Sequence, residues 1–316
     1  MGSGLALNGG EAAFFPRVCP RCWFPMSASS SSTPWLPKLV LAPSFVLAMG
    51  FIYGLIAWNG VLSFSASRLL PNYEWAGLVH YQTLWASERW WLALRNLAVF
   101  GGLFIGGAMA LGLLMAVLLD QRIRAEGALR TVFLYPMALS FIVTGTAWKW
   151  ILNPGLGLEK VLHDLGFTGV KFDWLIDPDK ALYCVVIAAI WQSAGFVMAL
   201  FLAGLRAIDE SIVKAAQVDG ASLPQIYARI LIPSLRPVFF STLMIVSHLA
   251  IKSFDLVMAL TAGGPGYATD LPATFMYTMA FTRGQIGLGA ASATMMLATI
   301  AAIVVPYLYS ELRAKR

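Results

Sequence analysis

Six long apolar stretches constrain this chain more than any other feature of its sequence. A helix needs about 20 apolar residues to cross the roughly 30 Å hydrocarbon core of a membrane, and six segments of the 316-residue chain reach that length. They are Leu39–Leu62, Leu97–Leu119, Thr131–Leu152, Ala181–Gly204, Val238–Leu260 and Leu288–Ser310. The first is uncharged and longer than the apolar core of a signal peptide, which has about 7–15 residues. The sequence therefore predicts an all-α, polytopic membrane protein with six transmembrane helices.

The composition excludes the soluble classes of protein. Apolar residues make up 59% of the chain and charged residues 12%, whereas soluble domains average about 45–50% and about 25%. So few charges cannot cover a water-exposed surface, and we expect membrane lipid around the chain. The net charge of +6 is explained by the excess of Lys and Arg in cytoplasmic loops, so no nucleic-acid partner is expected.

The distribution of Lys and Arg predicts that both termini lie in the cytoplasm. With six spans and the N-terminus inside, the inner segments hold thirteen Lys and Arg residues and the outer loops hold seven. Lys and Arg accumulate in cytoplasmic segments of membrane proteins. The bias falls to ten against seven when the residues before the first span are left out.

The first residues of the chain lack any apolar periodicity. Gly, Pro and Ser punctuate residues 1–37, which end near a run of four serines, a composition typical of an unstructured segment. We expect a disordered extension over 1–37, with Met26 as an alternative start, and a transmembrane domain over 38–316. Cys19 and Cys22 have CxxC spacing, but a structural zinc site needs four ligands, so no metal site is expected.

One predicted inner loop, Leu205–Pro237, is too long and too regular to be a simple connection. Its first half places apolar residues at helical spacing on one face, at Ile208, Ile212, Ala215 and Ala216. Gly220 breaks this helix and Pro224 is suited to the first turn of a second one. An amphipathic helix lying on the membrane is the alternative, but a narrow stripe rich in alanine favours docking into a protein cleft. We call this predicted helix–turn–helix, residues 205–237, the coupling loop.

The coupling loop resembles the EAA loop of binding-protein-dependent ABC importer permeases. That pattern reads E-A-A, three residues, G, nine residues and I-x-L-P, and here Lys214-Ala215-Ala216 precedes Gly220 and then Ile230-Leu231-Ile232-Pro233 at the same spacing. Lys214 departs from the family's Glu, so a salt bridge made by that Glu is not expected here. The resemblance implies that the contact with a cytoplasmic ATPase is formed by Lys214, Ala215, Ala216, Asp219, Gly220, Ala221, Ile230 and Pro233.

A second block extends the resemblance to carbohydrate-uptake permeases. Phe254-Asp255 followed by Thr261-Ala262-Gly263-Gly264-Pro265 is similar to their F-D…T-x-G-G-P signature, and Leu134–Ser140 and Trp174–Pro178 resemble the glucose/mannose-type importer permease of Gram-negative bacteria. The resemblance covers roughly residues 39–316. It implies a permease subunit of a sugar importer in the bacterial inner membrane. Its implied partners are a second permease, a cytoplasmic ATPase homodimer and a periplasmic sugar-binding protein that docks on the outer loops.

The chain has no ATP-binding loop of its own. No Gly-Lys dipeptide occurs in the sequence, which excludes a G-x-x-x-x-G-K-[ST] phosphate loop. The resemblance implies that a partner ATPase uses the ATP. We therefore expect a chain that is not an enzyme and binds no cofactor.

Polar and aromatic groups inside the predicted spans are candidates for a sugar path. Charges within a span usually face the bundle interior or a water-filled cavity, and Lys252 and Asp255 are spaced to pair on one helix face. Sugars are bound by aromatic faces, amides and carboxylates, so the candidate path residues are Trp148, Trp191, Gln192, His248, Lys252 and Asp255. The structural alternatives are a satisfied Lys–Asp pair, a packed histidine and aromatic anchors at the membrane interface.

Two other functions remain to be weighed. An ion-coupled secondary sugar transporter could use His248, Lys252 and Asp255 as a relay, but such folds usually show repeats with broken helices, and a long structured inner loop fits them poorly. An intramembrane protease could use His248 with Ser292. The serine of a rhomboid-like enzyme precedes its histidine, and the order here is reversed, so we reject the enzyme.

Overall fold

The computed structural model describes residues 36–314, apart from 122, 168 and 170. These residues are nearly all helical, and one isolated antiparallel bridge joins Ser65 to Trp75. The predicted extension 1–37 and its CxxC pair lie outside the described residues, except for the last two positions. The α-helices are α1 (Leu36–Ser63), α2 (Val79–Ala86), α3 (Glu88–Leu119), α4 (Glu126–Ala138), α5 (Phe141–Ile151), α6 (Leu158–Asp164), α7 (Ala181–Arg206), α8 (Glu210–Val218), α9 (Leu223–Ile226), α10 (Ile232–Ser234), α11 (Arg236–Ile251), α12 (Asp255–Leu260), α13 (Pro272–Tyr277) and α14 (Ile286–Ala314).

Length and composition identify four unbroken membrane spans in the described chain. They are α1, α3, α7 and α14, and two bent helix pairs raise the number to six if each pair is one span. The first pair is α4 with α5, and the second is the segment Leu223–Ser234 with α11. The all-α class with up to six spans is confirmed, while two of the predicted spans differ from the sequence-based expectation.

The third predicted span, Thr131–Leu152, is not one straight helix. α4 and α5 meet at an angle of 98°, because Leu139 and Ser140 are extended, each with ψ 144°. The Ser140 hydroxyl accepts a hydrogen bond from the Ile142 N–H at 3.3 Å and so caps α5. Pro136 lies in the last turn of α4, where its missing N–H weakens the helix just before the break.

The fifth predicted span, Val238–Leu260, is also interrupted. α11 ends at Ile251 and α12 begins at Asp255, so Lys252 and Asp255 do not share a helix face. Within the described residues no ion pair joins their side chains. The predicted Lys252–Asp255 pair on one helix is therefore wrong, because the spacing rule holds only for a continuous helix.

The half-helices α5 and α12 pack on each other at a glycine. A Cβ at Gly145 would lie 2.6 Å from the Cβ of Ala259 and 3.1 Å from the carbonyl oxygen of Leu256, which is closer than side chains approach. In lipid, backbone groups freed by a helix break need partners inside the protein. Gln192 of α7 supplies one, since its Nε2 donates to the Leu139 carbonyl at 2.9 Å.

α7 is the most enclosed of the unbroken spans. Its most apolar window is 67% buried, against 33% for α3 and 28% for α14. A Cβ at Gly112 of α3 would lie 2.5 Å from Val197 of α7, and one at Gly195 of α7 would collide with the Phe133 carbonyl of α4. Small residues that let helix backbones approach closely drive packing in membranes, so glycines set how closely α3 and α4 lie against α7.

The loop between α12 and α13 is fixed to the first turn of α3. Arg89 Nε donates to Asp270 Oδ2 at 2.6 Å, and these side chains are only 13% and 2% exposed. Thr274 donates to the other carboxylate oxygen at 2.5 Å, and the Asn96 amide donates to the Asp270 carbonyl at 3.0 Å. These hydrogen bonds offset part of the cost of burying the ion pair. Next to Asp270, the Thr269 hydroxyl bonds to the Thr261 hydroxyl and to the Gly264 carbonyl, which ties the Thr261–Pro265 block to this network.

Gly195→Ala is expected to destabilise the folded chain, while Gly102→Ala is not. A methyl group at residue 195 meets the Phe133 carbonyl, and overpacking of this kind costs about 1–3 kcal/mol. Nothing lies within 4 Å of the Cβ position of Gly102, where alanine only removes flexibility from a helix. The thermal unfolding midpoint of the detergent-purified protein tests this difference, and equal midpoints would contradict the α4–α7 packing.

Candidate functional site

A small cavity opens where α11 and α12 part. It has a volume of about 110 Å³ and is bounded by α3, α5, α7 and the break in the fifth span. Its lining residues are Phe100, Phe104, Phe141, Ala189, Ser193, Leu249, Lys252, Ser253, Phe254, Asp255 and Leu256. Apolar and aromatic walls with a few polar groups are typical of small-molecule sites. The cavity is therefore the candidate substrate site.

Two of the predicted path residues, Lys252 and Asp255, reach this cavity. Lys252 follows the last residue of α11, and Asp255 is the first residue of α12. The helix dipole favours a cation at a C-terminus and an anion at an N-terminus, so each charge is stabilised by the helix end that bears it. Both side chains are exposed, which leaves an ammonium group and a carboxylate at the cavity to contact a ligand.

The other four predicted path residues do not line the cavity. Trp148 and Trp191 pack edge to face, with ring centroids 5.9 Å apart. Gln192 is 2% exposed and supports the break between α4 and α5 through the Leu139 carbonyl. His248 is exposed on α11. A direct contact of these four with sugar stays a prediction.

The aromatic wall of the cavity was not predicted from the sequence. Phe100 and Phe104 of α3 are buried and stack with centroids 5.5 Å apart and planes 11° apart. Phe141 begins α5. The four-residue spacing of Phe100 and Phe104 was the only signal available, and it is equally typical of core packing. The breaks that bring these rings next to Lys252 are hidden inside apolar runs.

The coupling loop forms the predicted helix–turn–helix. Asp209 caps α8, since its Oδ1 accepts the Ser211 N–H at 2.8 Å, and this bond holds the pKa of Asp209 below its usual value. Gly220 ends α8 with a φ of +80°, a left-handed conformation that suits glycine. α9, a π-helical turn over Tyr227–Leu231 and α10 then lead into α11.

The coupling loop packs on the bundle with one side and exposes the other. Ala216 and Ile226 belong to the main hydrophobic core, while Val218 is 88% exposed and Ile212 is 47% exposed. Ala215 is also exposed, so the predicted single stripe through residues 208, 212, 215 and 216 is divided. The stripe is divided because α8 buries only a narrow face at Ala216, while the adjacent apolar face at Ile212 and Ala215 is exposed.

The predicted ATPase-contact residues are found on both the exposed side and the bundle side of the coupling loop. Lys214, Ala215, Asp219, Gly220 and Pro233 are exposed, Ala221 and Ile230 are half-buried, and Ala216 is buried. Lys214 Nζ lies 3.1 Å from Glu210 Oε2 one turn earlier, an exposed pair in the favoured Glu-to-Lys order. The helix therefore carries a carboxylate one turn before the position at which the family pattern has its Glu.

A broad cleft separates the coupling loop from the nearby ends of α3, α4 and α7, and two polar contacts lie along it. Tyr227 Oη donates to Asp120 Oδ2 at 2.5 Å. Arg206 Nη2 lies 2.6 Å from Glu126 Oε1. The first contact joins the coupling loop to the residue that ends α3, and the second joins α7 to α4.

Comparison with known proteins adds independent observations. Residues 108–314 match the family described as binding-protein-dependent transport system inner membrane component. A probable ABC transporter permease protein of Pyrococcus horikoshii is 40% identical over 281 residues, covering 88% of this chain and 96% of the relative. The xylose/arabinose import permease protein of Haloferax volcanii is 38% identical over 271 residues, covering 84% and 85%.

The fold also has a solved counterpart. A chain in the crystal structure of a bacterial alginate ABC transporter, in complex with an alginate pentasaccharide-bound periplasmic protein, aligns with a TM-score of 0.76. Its sequence identity is 22%, and the alignment covers 86% of this chain and 92% of that one. At this identity the likeness establishes the fold.

The family match includes both structural features of the candidate site. It spans the coupling loop and the interrupted fifth span. Members of this family are transport components, so neither the intramembrane protease nor the ion-coupled transporter is favoured. The chain belongs to the family of binding-protein-dependent transport system inner membrane components and is a membrane-spanning ABC transporter permease.

Proposed function

We propose that this chain is one of two permease subunits that form the translocation path of an ATP-driven importer of neutral sugars. The exposed side of the coupling loop carries the proposal. It presents Val218 and Gly220 on a chain with no phosphate loop, so the energy of ATP has to enter through another subunit. A cytoplasmic ATPase pair would dock on this side of the loop. With six spans, both termini of the chain would then also lie in the cytoplasm.

The cavity supports a neutral sugar as cargo. Its Lys252 and Asp255 carry opposite charges, so the site has no net charge to select an anion. Aromatic rings such as Phe104 pack against the C–H faces of sugars, and the ammonium and carboxylate groups match hydroxyls as donors and acceptors. One close relative is named as a xylose/arabinose permease. The resemblance of Leu134–Ser140 and Trp174–Pro178 to glucose/mannose-type permeases makes glucose and mannose the first cargoes to test.

The cavity is too small to hold a sugar in this conformation. Its 110 Å³ is small beside the about 300–1,000 Å³ of ordinary ligand pockets. A sugar would enter only after the surrounding helices move apart. In our proposal a periplasmic binding protein delivers the sugar at the outer face. Closure of the ATPases then displaces the coupling loop, and this displacement changes the side of the membrane to which the cavity opens.

Purification of this chain from its native membranes in mild detergent tests the proposed assembly. We expect one second permease and two copies of an ATPase to co-purify, because a single chain has neither a complete path nor an ATP site. Subunits are identified and counted by mass spectrometry. A chain that purifies alone and transports sugar in vesicles without ATP would refute the importer.

Gly220→Trp should abolish sugar uptake while the chain still inserts into the membrane. No atom lies within 4 Å of the Cβ position of Gly220, so the indole would project from the docking side and block the ATPase. Gly220→Ala is the matched control, because alanine meets the same penalty in the left-handed conformation as tryptophan but lacks its bulk. Uptake and ATPase recovery are measured for both variants. Normal transport by Gly220→Trp would show that the docking side is misassigned.

Lys252→Ala should raise the sugar concentration needed for half-maximal uptake by about tenfold, since a hydrogen bond to a charged group is worth about 1.5–3 kcal/mol. Lys149→Ala is the control, because Lys149 also lies in a predicted span and does not line the cavity. Initial uptake rates of radiolabelled glucose are measured over a range of concentrations. An equal effect of both substitutions would argue against a sugar site at Lys252.

A further inference from the structure

Beyond the docking side, the coupling loop has a second functional feature on its bundle side. Tyr227, the first residue of the π-helical turn, donates its phenolic hydrogen to Asp120 at 2.5 Å. Asp120 is the residue that ends α3. Both residues are half-buried, where a charge-assisted hydrogen bond is stronger than at an open surface. The phenol, with an ordinary pKa of about 10, remains a donor at neutral pH.

The coupling loop reaches the cavity by two routes. The first is covalent, because the loop continues directly into α11, whose last residue precedes Lys252. The second passes through Tyr227 to Asp120 and along α3. α3 is one unbroken helix of 32 residues, and it carries Phe104, which lines the cavity about 24 Å from Asp120 at 1.5 Å per residue.

The other contacts between the loop and the bundle do not serve the second route equally well. Ile226 and Leu231 pack into the apolar core, but apolar contacts are non-directional and can slide. The Arg206–Glu126 ion pair joins α7 to α4 and does not involve α3. Among the described contacts, the Tyr227–Asp120 hydrogen bond is therefore the directional link from the loop to α3.

We propose that Tyr227 and Asp120 are positioning residues that transmit displacement of the coupling loop to α3 and so move the Phe100–Phe104 wall of the cavity. Without this bond the loop would still bind the ATPases and still move α11, but α3 would follow incompletely. ATP hydrolysis would then be partly uncoupled from sugar movement. This inference rests on the proposed importer function and adds the path by which displacement of the coupling loop is transmitted to the cavity.

The test uses the complete importer with its binding protein in proteoliposomes. Tyr227→Phe removes one hydroxyl and keeps the ring. We expect normal assembly, ATP hydrolysis within about twofold of wild type and about tenfold less [¹⁴C]glucose accumulated per ATP hydrolysed, the lower end of the effect of a hydrogen bond to a charged group. A role in folding or docking alone would instead lower assembly and hydrolysis together.

A second readout does not depend on the identity of the cargo. A cysteine is placed in the cavity wall by Ser193→Cys, in a chain whose three native cysteines are replaced by alanine. The rate of maleimide labelling is compared with and without ATP and orthovanadate. We expect the trapped state to change this rate when residue 227 is Tyr and to leave it nearly unchanged in Tyr227→Phe.

Further variants make the assignment specific. Asp120→Asn keeps an acceptor oxygen and should retain more coupling than Asp120→Ala, and Tyr227→Phe combined with Asp120→Ala should be no worse than Asp120→Ala alone. Tyr81→Phe is the matched control, because the Tyr81 hydroxyl shares a hydrogen bond with Ser63 at 2.9 Å and Tyr81 lies outside the coupling loop, α3 and α11. It should leave the ratio of sugar to ATP unchanged.

Two results would overturn the inference. One is a Tyr227→Phe importer with the wild-type ratio of sugar to ATP and the wild-type labelling change. The other is a parallel loss of uptake and hydrolysis in an intact complex. Failure of the proposed function would look different, since the wild-type chain itself would then recruit no ATPase and show no ATP-dependent labelling change.

Discussion

Close backbone contact at glycines is the constraint on which this structure depends. In lipid, apolar side chains gain little by leaving their surroundings, so helices associate through tight packing and internal hydrogen bonds. Gly195 brings α7 against the backbone of α4, Gly112 brings α3 against α7, and Gly145 joins α5 to α12. The last contact matters most for function, because α5 follows the break after α4 and α12 follows the break after α11. Their contact holds both breaks, and the cavity beside them, in one place.

The helix break between α11 and α12 places two charges, which are unfavourable inside a membrane, at the cavity where they can contact a ligand. In a continuous helix, Lys252 and Asp255 would face each other and neutralise one another. The interruption ends α11 before one and starts α12 at the other, so each charge is stabilised by a helix end and remains exposed. At the other break, Gln192 of α7 satisfies the Leu139 carbonyl. A residue that the sequence suggests for sugar binding therefore has a demonstrated contact that supports the backbone.

Much of the architecture was accessible from the sequence, because apolar length and loop punctuation act locally. The runs at Ala181–Gly204 and Leu288–Ser310 correspond to α7 and α14, and Gly220 was correctly placed at the turn of the coupling loop. The breaks were not accessible. A run such as Thr131–Leu152 has the composition of a span whether it is straight or bent by 98°, and the bend depends on partners distant in sequence. The cavity wall at Phe104 was missed for the same reason.

The positions of the polar contacts along α3 indicate how this helix would move. At one end the buried Arg89–Asp270 pair fixes its first turn to the loop after α12, and at the other end Asp120 is bonded to Tyr227. With the Arg89 end held, displacement of the coupling loop would tilt α3 rather than shift it along its axis. Phe104 lies about midway between Arg89 and Asp120 and would move about half as far as Asp120, since displacement of a rigid helix grows with distance from its fixed end. α3 would then pivot at the Arg89–Asp270 ion pair and be displaced at the Asp120–Tyr227 hydrogen bond, with the cavity wall about halfway between them.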